Sequence, residues 1–106
     1  MSDAVFVTGL GIVSPAGADT ESTWRAMVAG TPCVAELDEP AITGEGALCA
    51  GRVPAFVPPD GLARADRVCQ LAVSAADQAW AAAGLNGAIG RELEPGRTAV
   101  SFGTSK

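Results

Sequence analysis

The side chains able to do covalent chemistry are few in this chain. Three cysteines, Cys33, Cys49 and Cys69, supply its thiols, and histidine is absent altogether. A thiol or hydroxyl nucleophile needs an adjacent base, so Cys/His and Ser/His catalysis are excluded within these residues. The cysteines form no CxxC pair, and their odd number leaves one thiol outside any intramolecular disulfide scheme. A zinc site would have to gather widely separated cysteines and carboxylates. The expectation is therefore of reduced, structural thiols that behave as small buried or half-buried hydrophobes. No catalytic residue, metal ligand or cofactor-binding residue is assigned to the chain.

A second candidate for chemistry is the glycine-punctuated run Val5 to Gly17, Val-Phe-Val-Thr-Gly-Leu-Gly-Ile-Val-Ser-Pro-Ala-Gly. A dinucleotide-binding turn needs Gly-x-Gly-x-x-Gly between a strand and the helix whose N-terminus holds the pyrophosphate. Gly9 and Gly11 supply the first pair, but Ser14 and Pro15 follow, and the next helix start lies at Asp19 to Thr20. The spacing fails. Val5, Phe6 and Val7 instead read as a packed strand, and Gly9, Gly11 and Gly17 as places where a Cβ would obstruct a turn or a close approach.

The elements that would position this loop follow in order. Asp19-Thr20-Glu21-Ser22 offers capping oxygens and a first-turn acid, Trp24, Met27 and Val28 share one helical face, and Gly30 stops the run. That spacing predicts core packing for Trp24 rather than a ligand platform. From Thr31 to Pro59 periodicity vanishes among prolines and glycines, leaving a long irregular connection in which only Leu48 to Val53 suits a short strand. Ala63 to Ala83 predicts a long alanine-rich helix with Val68, Ala72, Ala75 and Ala79 along one stripe and a C-cap at Gly84-Leu85. Small residues on that stripe allow another backbone to come close. Asn86-Gly87 and Pro95-Gly96 mark turns before a second expected strand, Thr98 to Phe102, which runs into Gly103-Thr104.

Composition narrows the function classes. The 106 residues are 48% hydrophobic, with a mean hydropathy of +0.27, which is high for so short a chain and points to burial against further protein. Twelve acidic against seven basic residues give a net charge of −5, which disfavours nucleic acid and leaves no polybasic membrane patch. No apolar run approaches the roughly 20 residues that span a bilayer, and no basic segment precedes a signal-type core. A cytoplasmic location is the default expectation.

The opening Val-Thr-Gly-Leu-Gly-Ile-Val-Ser-Pro resembles the start of the β-ketoacyl-acyl-carrier-protein synthases. Three further features agree with it: Glu21-Ser22-Thr23-Trp24-Arg25-Ala26, Asp66-Arg67 opening a helix that closes on Ala83-Gly84-Leu85, and Arg97-Thr98-Ala99-Val100 leading to Gly103-Thr104. The resemblance covers essentially the whole chain. It implies an α/β fold, the N-terminal part of a thiolase-like architecture running strand, helix, long loop, helix, strand and incomplete on its own, with no internal domain boundary.

The resemblance also implies decarboxylative Claisen condensation of an acyl thioester with a malonyl carrier thioester, in fatty-acid or polyketide assembly. The family's reactive cysteine and two histidines lie beyond Lys106, and none of Cys33, Cys49 or Cys69 matches the nucleophile. The chain alone is expected to be inactive, as a cleaved or engineered fragment, one half of a split enzyme, or a non-catalytic remnant. The alternative to a condensing parent is a silent chain-length-factor relative or a scaffold module. Acyl carrier protein, the remainder of the ketosynthase and a dimeric parent are the implied partners, with no cofactor. Arg64 and Arg67 are implied as carrier-docking residues. Lys106 would occupy the position of an apolar residue that helps gate the acyl pocket.

Overall fold

The computed structural model describes residues 3–37, 48–54, 56–85 and 93–105. Helix α1, Thr20–Ala29, has the limits its sequence predicts. Asp19 stands in extended backbone before it and accepts the Ser22 amide at 2.7 Å, which satisfies a free donor of the first turn. At the other end Gly30 takes a left-handed φ of 65°. Thr31 then donates to the Ala26 carbonyl and Gly30 to that of Met27, the paired bonds of a Schellman ending.

The alanine-rich helix α2 spans Arg67–Ala82, four residues shorter at its start than the sequence predicts. Residues 59–65 form successive turns instead: Leu62 donates to the Pro59 carbonyl, Ala65 to that of Leu62, and Gly61 has a φ of 80°. Proline and left-handed glycine shape this segment more strongly than the helix propensity of Ala63 and Ala65. The C-terminal end is as expected, with Gly84 donating to Ala81 and Leu85 to Trp80.

Two strands interrupt the long connection. β1, Ala35–Glu36, pairs antiparallel with β2, Cys49–Ala50, in the register Ala35 to Ala50 and Glu36 to Cys49. Leu37 extends the pairing by donating to the Leu48 carbonyl at 2.8 Å. The strand expected over 48–53 is thus confined to its first half. A short 3-10 turn, Pro95–Arg97, precedes the last described segment.

The two strands expected at Val5–Val7 and Thr98–Phe102 are not formed: neither segment carries strand pairing. Val5 is 95% exposed and Val100 92%, and Phe6, Val7 and Phe102 are exposed as well. Valine and phenylalanine fit a pleated surface that is already half-buried, and no other described segment pairs with either run. The core reading of α1 is corrected in the same way. Trp24, Met27 and Val28 do share a face, but Trp24 is 64% exposed because none of the described residues covers that face. The described chain is correspondingly open. Its radius of gyration is 17.5 Å, against about 13 Å for a compact domain of this length, and among the described residues no large side chain is fully buried.

Candidate functional site

A close backbone-to-backbone contact joins the glycine loop to α2. A Cβ added at Gly11 would stand 1.8 Å from the Ala75 carbonyl oxygen, and one added at Gly9 would stand 2.1 Å from that of Ala79. The loop backbone therefore rests directly on the helix backbone, over the stripe of Ala75 and Ala79. Gln78 fixes the register. Its Oε1 accepts the Ile12 amide at 3.3 Å and its Nε2 donates to the Ala18 carbonyl at 2.7 Å. One side chain thus satisfies a donor and an acceptor at the two ends of the loop.

Between those ends the chain closes a turn. Ser14 and Gly17 exchange backbone hydrogen bonds at 2.8 and 3.1 Å. The Ser14 hydroxyl lies 2.8 Å from that of Thr23, which is 5% exposed and donates to the Gly17 carbonyl. The turn is in this way tied to α1 as the loop is tied to α2. Beside it runs an open apolar groove of about 780 Å³ whose lining includes Val7, Leu10, Thr20, Gln78 and Ala81.

The second constellation surrounds the start of α2. The Arg67 guanidinium carbon lies over the Phe56 ring, 4.4 Å from its centroid, and the group donates to Gln70 Oε1 at 3.5 Å. Gln70 is 6% exposed, and its amide donates to the Leu62 and Ala63 carbonyls at 2.9 and 3.3 Å. It therefore pins the turn that leads into Arg64. Both arginines are exposed. Nearby in sequence, Asp60 and Asp66 are exposed too. The structure thus places the two arginines at one end of α2. The third residue singled out from the sequence, Lys106, lies outside the described residues.

The thiols are scattered. Cys33 is half-buried and its Sγ lies 3.2 Å from the Thr31 carbonyl, whereas Cys49 and Cys69 are exposed, contrary to the expectation of burial. Cys49 lies in the short β1–β2 ladder, and Cys69 lines an open apolar groove with Val68, Ala72, Val73 and Phe102. All three are free. Among the described residues no group of three or more acidic or cysteine side chains is placed to hold a metal ion, and no helix is long and apolar enough to cross a membrane. Among the described residues one carboxyl is electrostatically distinguished: the Ser22 amide and then the Ser22 hydroxyl hold Asp19 below its ordinary value of 3.8.

Gln70, Gln78 and Phe56 were not singled out from the sequence. Gln70 and Gln78 carry the only side-chain amides of α2, and a polar residue set in an alanine stripe is a signal for a buried partner. Nothing local announces that Phe56, between prolines, faces Arg67.

Residues 2–106 match the family described as "Beta-ketoacyl synthase, N-terminal domain". The chain is also similar to the tetracenomycin polyketide synthase ketoacyl synthase beta subunit of Streptomyces glaucescens, with 40% identity over 86 residues. That alignment covers 76% of this chain and 21% of the relative, so the chain spans about a fifth of that protein's length. No solved structure matches it.

Proposed function

The chain belongs to the β-ketoacyl synthase family, through its N-terminal domain, and we propose that it serves a synthase that extends polyketide or fatty-acid chains by decarboxylative Claisen condensation. In that reaction a cysteine thiolate takes the acyl group from its carrier, releasing the carrier thiol. Loss of CO2 from a malonyl thioester then generates an enolate that attacks the acyl-enzyme carbonyl and expels the cysteine. Histidines assist decarboxylation and stabilise the developing negative charge. These residues contain no histidine, so on this reading the histidines belong to other parts of the synthase, and the resemblance places the reactive cysteine with them. This chain's share is framework and recognition.

The observation that carries this reading is the family match over residues 2–106. The open apolar surfaces at Val5–Val7, Trp24–Val28 and Val100–Phe102 support it, since they suit a chain whose core is completed by more protein. Arg64 and Arg67 are the proposed docking residues for an acidic acyl carrier protein, and Lys106 the proposed gate of the acyl pocket. The parent is proposed to be dimeric and cytoplasmic.

A second reading is favoured by the relative's own description as a beta subunit. On it, the chain comes from a subunit of the chain-length-factor kind, which does not condense and works beside a condensing partner. Assaying the complete protein with acyl and malonyl carrier thioesters separates the two. Formation of a β-ketoacyl product by the protein alone establishes the condensing reading. Product only when a condensing subunit is added establishes the second. No product and no carrier binding under either condition removes both.

A further inference from the structure

We propose that Phe56 and Gln70 are positioning residues that hold Arg67 and Arg64 as a preformed basic edge for an acidic carrier surface. The inference rests on the docking role proposed above and adds the two uncharged side chains that make it effective. Residues 60–67 contain Asp60, Arg64, Asp66 and Arg67, two charges of each sign. This segment has no net charge with which to attract an acidic partner. Attraction then depends on where the guanidinium groups are held relative to the two carboxylates, because at surface separations screening leaves only close pairs effective.

The geometry supplies that placement. The Arg67 guanidinium carbon stands over the Phe56 ring, 4.4 Å from its centroid, a cation–π contact that restrains the side chain. Arg67 remains exposed, so N–H groups not used on Gln70 can meet a carboxylate. Gln70 acts on the other arginine through the main chain. By accepting from Arg67 and donating to the Leu62 and Ala63 carbonyls, it fixes the turn whose next residue is Arg64. Phe56 and Gln70 therefore remove conformational freedom before the partner arrives, which lowers the ordering cost of binding.

The test uses the complete synthase and the organism's own holo-acyl carrier protein. Binding is measured across a salt series, and turnover is measured with carrier-free pantetheine thioesters as a control where the synthase condenses. Phe56→Leu, which keeps apolar volume but lacks a ring face, is expected to weaken carrier binding about three- to tenfold. Phe56→Trp is expected to retain it. Gln70→Met leaves the half-buried Leu62 carbonyl without its donor and so lowers the melting temperature. It is expected to weaken binding and flatten its salt dependence, while any carrier-free turnover measured below that transition stays near wild type. Wild-type carrier affinity in Phe56→Leu and Gln70→Met overturns the positioning role, as does an equal loss with the carrier-free substrate. Arg64→Glu reports on the underlying reading. If it weakens binding while Phe56→Leu and Gln70→Met do not, only the positioning role fails. If Arg64→Glu also binds normally, the docking assignment itself is wrong.

Discussion

The Gln78 side chain reaches the Ala18 carbonyl, 60 residues away in sequence, at 2.7 Å, and with its other atom accepts the Ile12 amide. This bracing joins the loop after Gly11 to the C-terminal half of α2. Gln78→Leu preserves approximate size but leaves a half-buried donor and a half-buried acceptor without their partner. The expected loss is about 1–3 kcal/mol in chemical denaturation of the complete protein. Faster amide exchange at Ile12 should accompany it. Unchanged stability together with unchanged exchange at Ile12 would show that the brace contributes nothing.

Two glycines separate steric from conformational roles. Gly30 has open space around its missing Cβ and a φ of 65°, so Gly30→Ala should cost about 1–2 kcal/mol through backbone strain alone. Gly11 has no positive φ, yet a Cβ there would lie 1.8 Å from a carbonyl oxygen. Gly11→Ala should cost about 3 kcal/mol or more, because overpacking here displaces one backbone from another. Equal melting-temperature losses for the two variants would contradict this ordering.

Acid should loosen the start of α1. Asp19 has a lowered pKa because the Ser22 amide, and then the Ser22 hydroxyl, bind its ionised form. Folding therefore draws on this carboxylate fully above the ordinary value of 3.8 and loses that contribution as pH falls through the lowered native value. Residue-resolved titration of the Asp19 carboxyl should give a midpoint below 3.8, and Ser22 amide protection should fall with it. In Asp19→Ala that acid-dependent step at the Ser22 amide should disappear. A midpoint at or above the ordinary value would rule out the cap as its cause.

The exposed face of α1 bears on assembly. If further synthase sequence covers Trp24, Met27 and Val28, then the Trp24 contribution to the complete protein's emission, taken as the difference from its Trp24→Phe variant, should be blue-shifted and poorly quenched relative to the same difference in residues 1–106 alone. Trp24→Glu should destabilise the complete protein, since burying a charge on an apolar face is unfavourable. Identical emission and quenching in the long and short forms would leave this face open to solvent in both.

Much of the fold is legible in local chemistry, and the exceptions share a cause. Asp19 and Gly30 delimit α1, and Gly84-Leu85 ends α2, because capping is decided by a few adjacent residues. The start of α2 is displaced to Arg67 because the turn anchored by Pro59 and Gly61 is held by the Gln70 amide, a bond invisible to propensity. Gly9 and Gly11 announce that some backbone comes close, without saying which one. The runs at Val5–Val7 and Thr98–Phe102 have strand composition, but a strand exists only through its neighbours, and local preference cannot supply them. Likewise Arg64 and Arg67 are conspicuous as charges, whereas the Phe56 ring over which Arg67 lies and the Gln70 amide that it meets become evident only in three dimensions.

The three atoms nearest a Cβ at Gly11 are the Ala75 carbonyl oxygen and carbon and the Ala79 amide nitrogen, all main-chain atoms that every residue type possesses. No suppressor substitution at Ala75 or Ala79 can make room for a larger residue at 11. At Gly9 the case differs in part, because the Ala83 methyl is among the obstacles and could be trimmed. A genetic selection for revertants of Gly11→Ala should therefore return the original codon or changes that shift the whole helix, and almost nothing between.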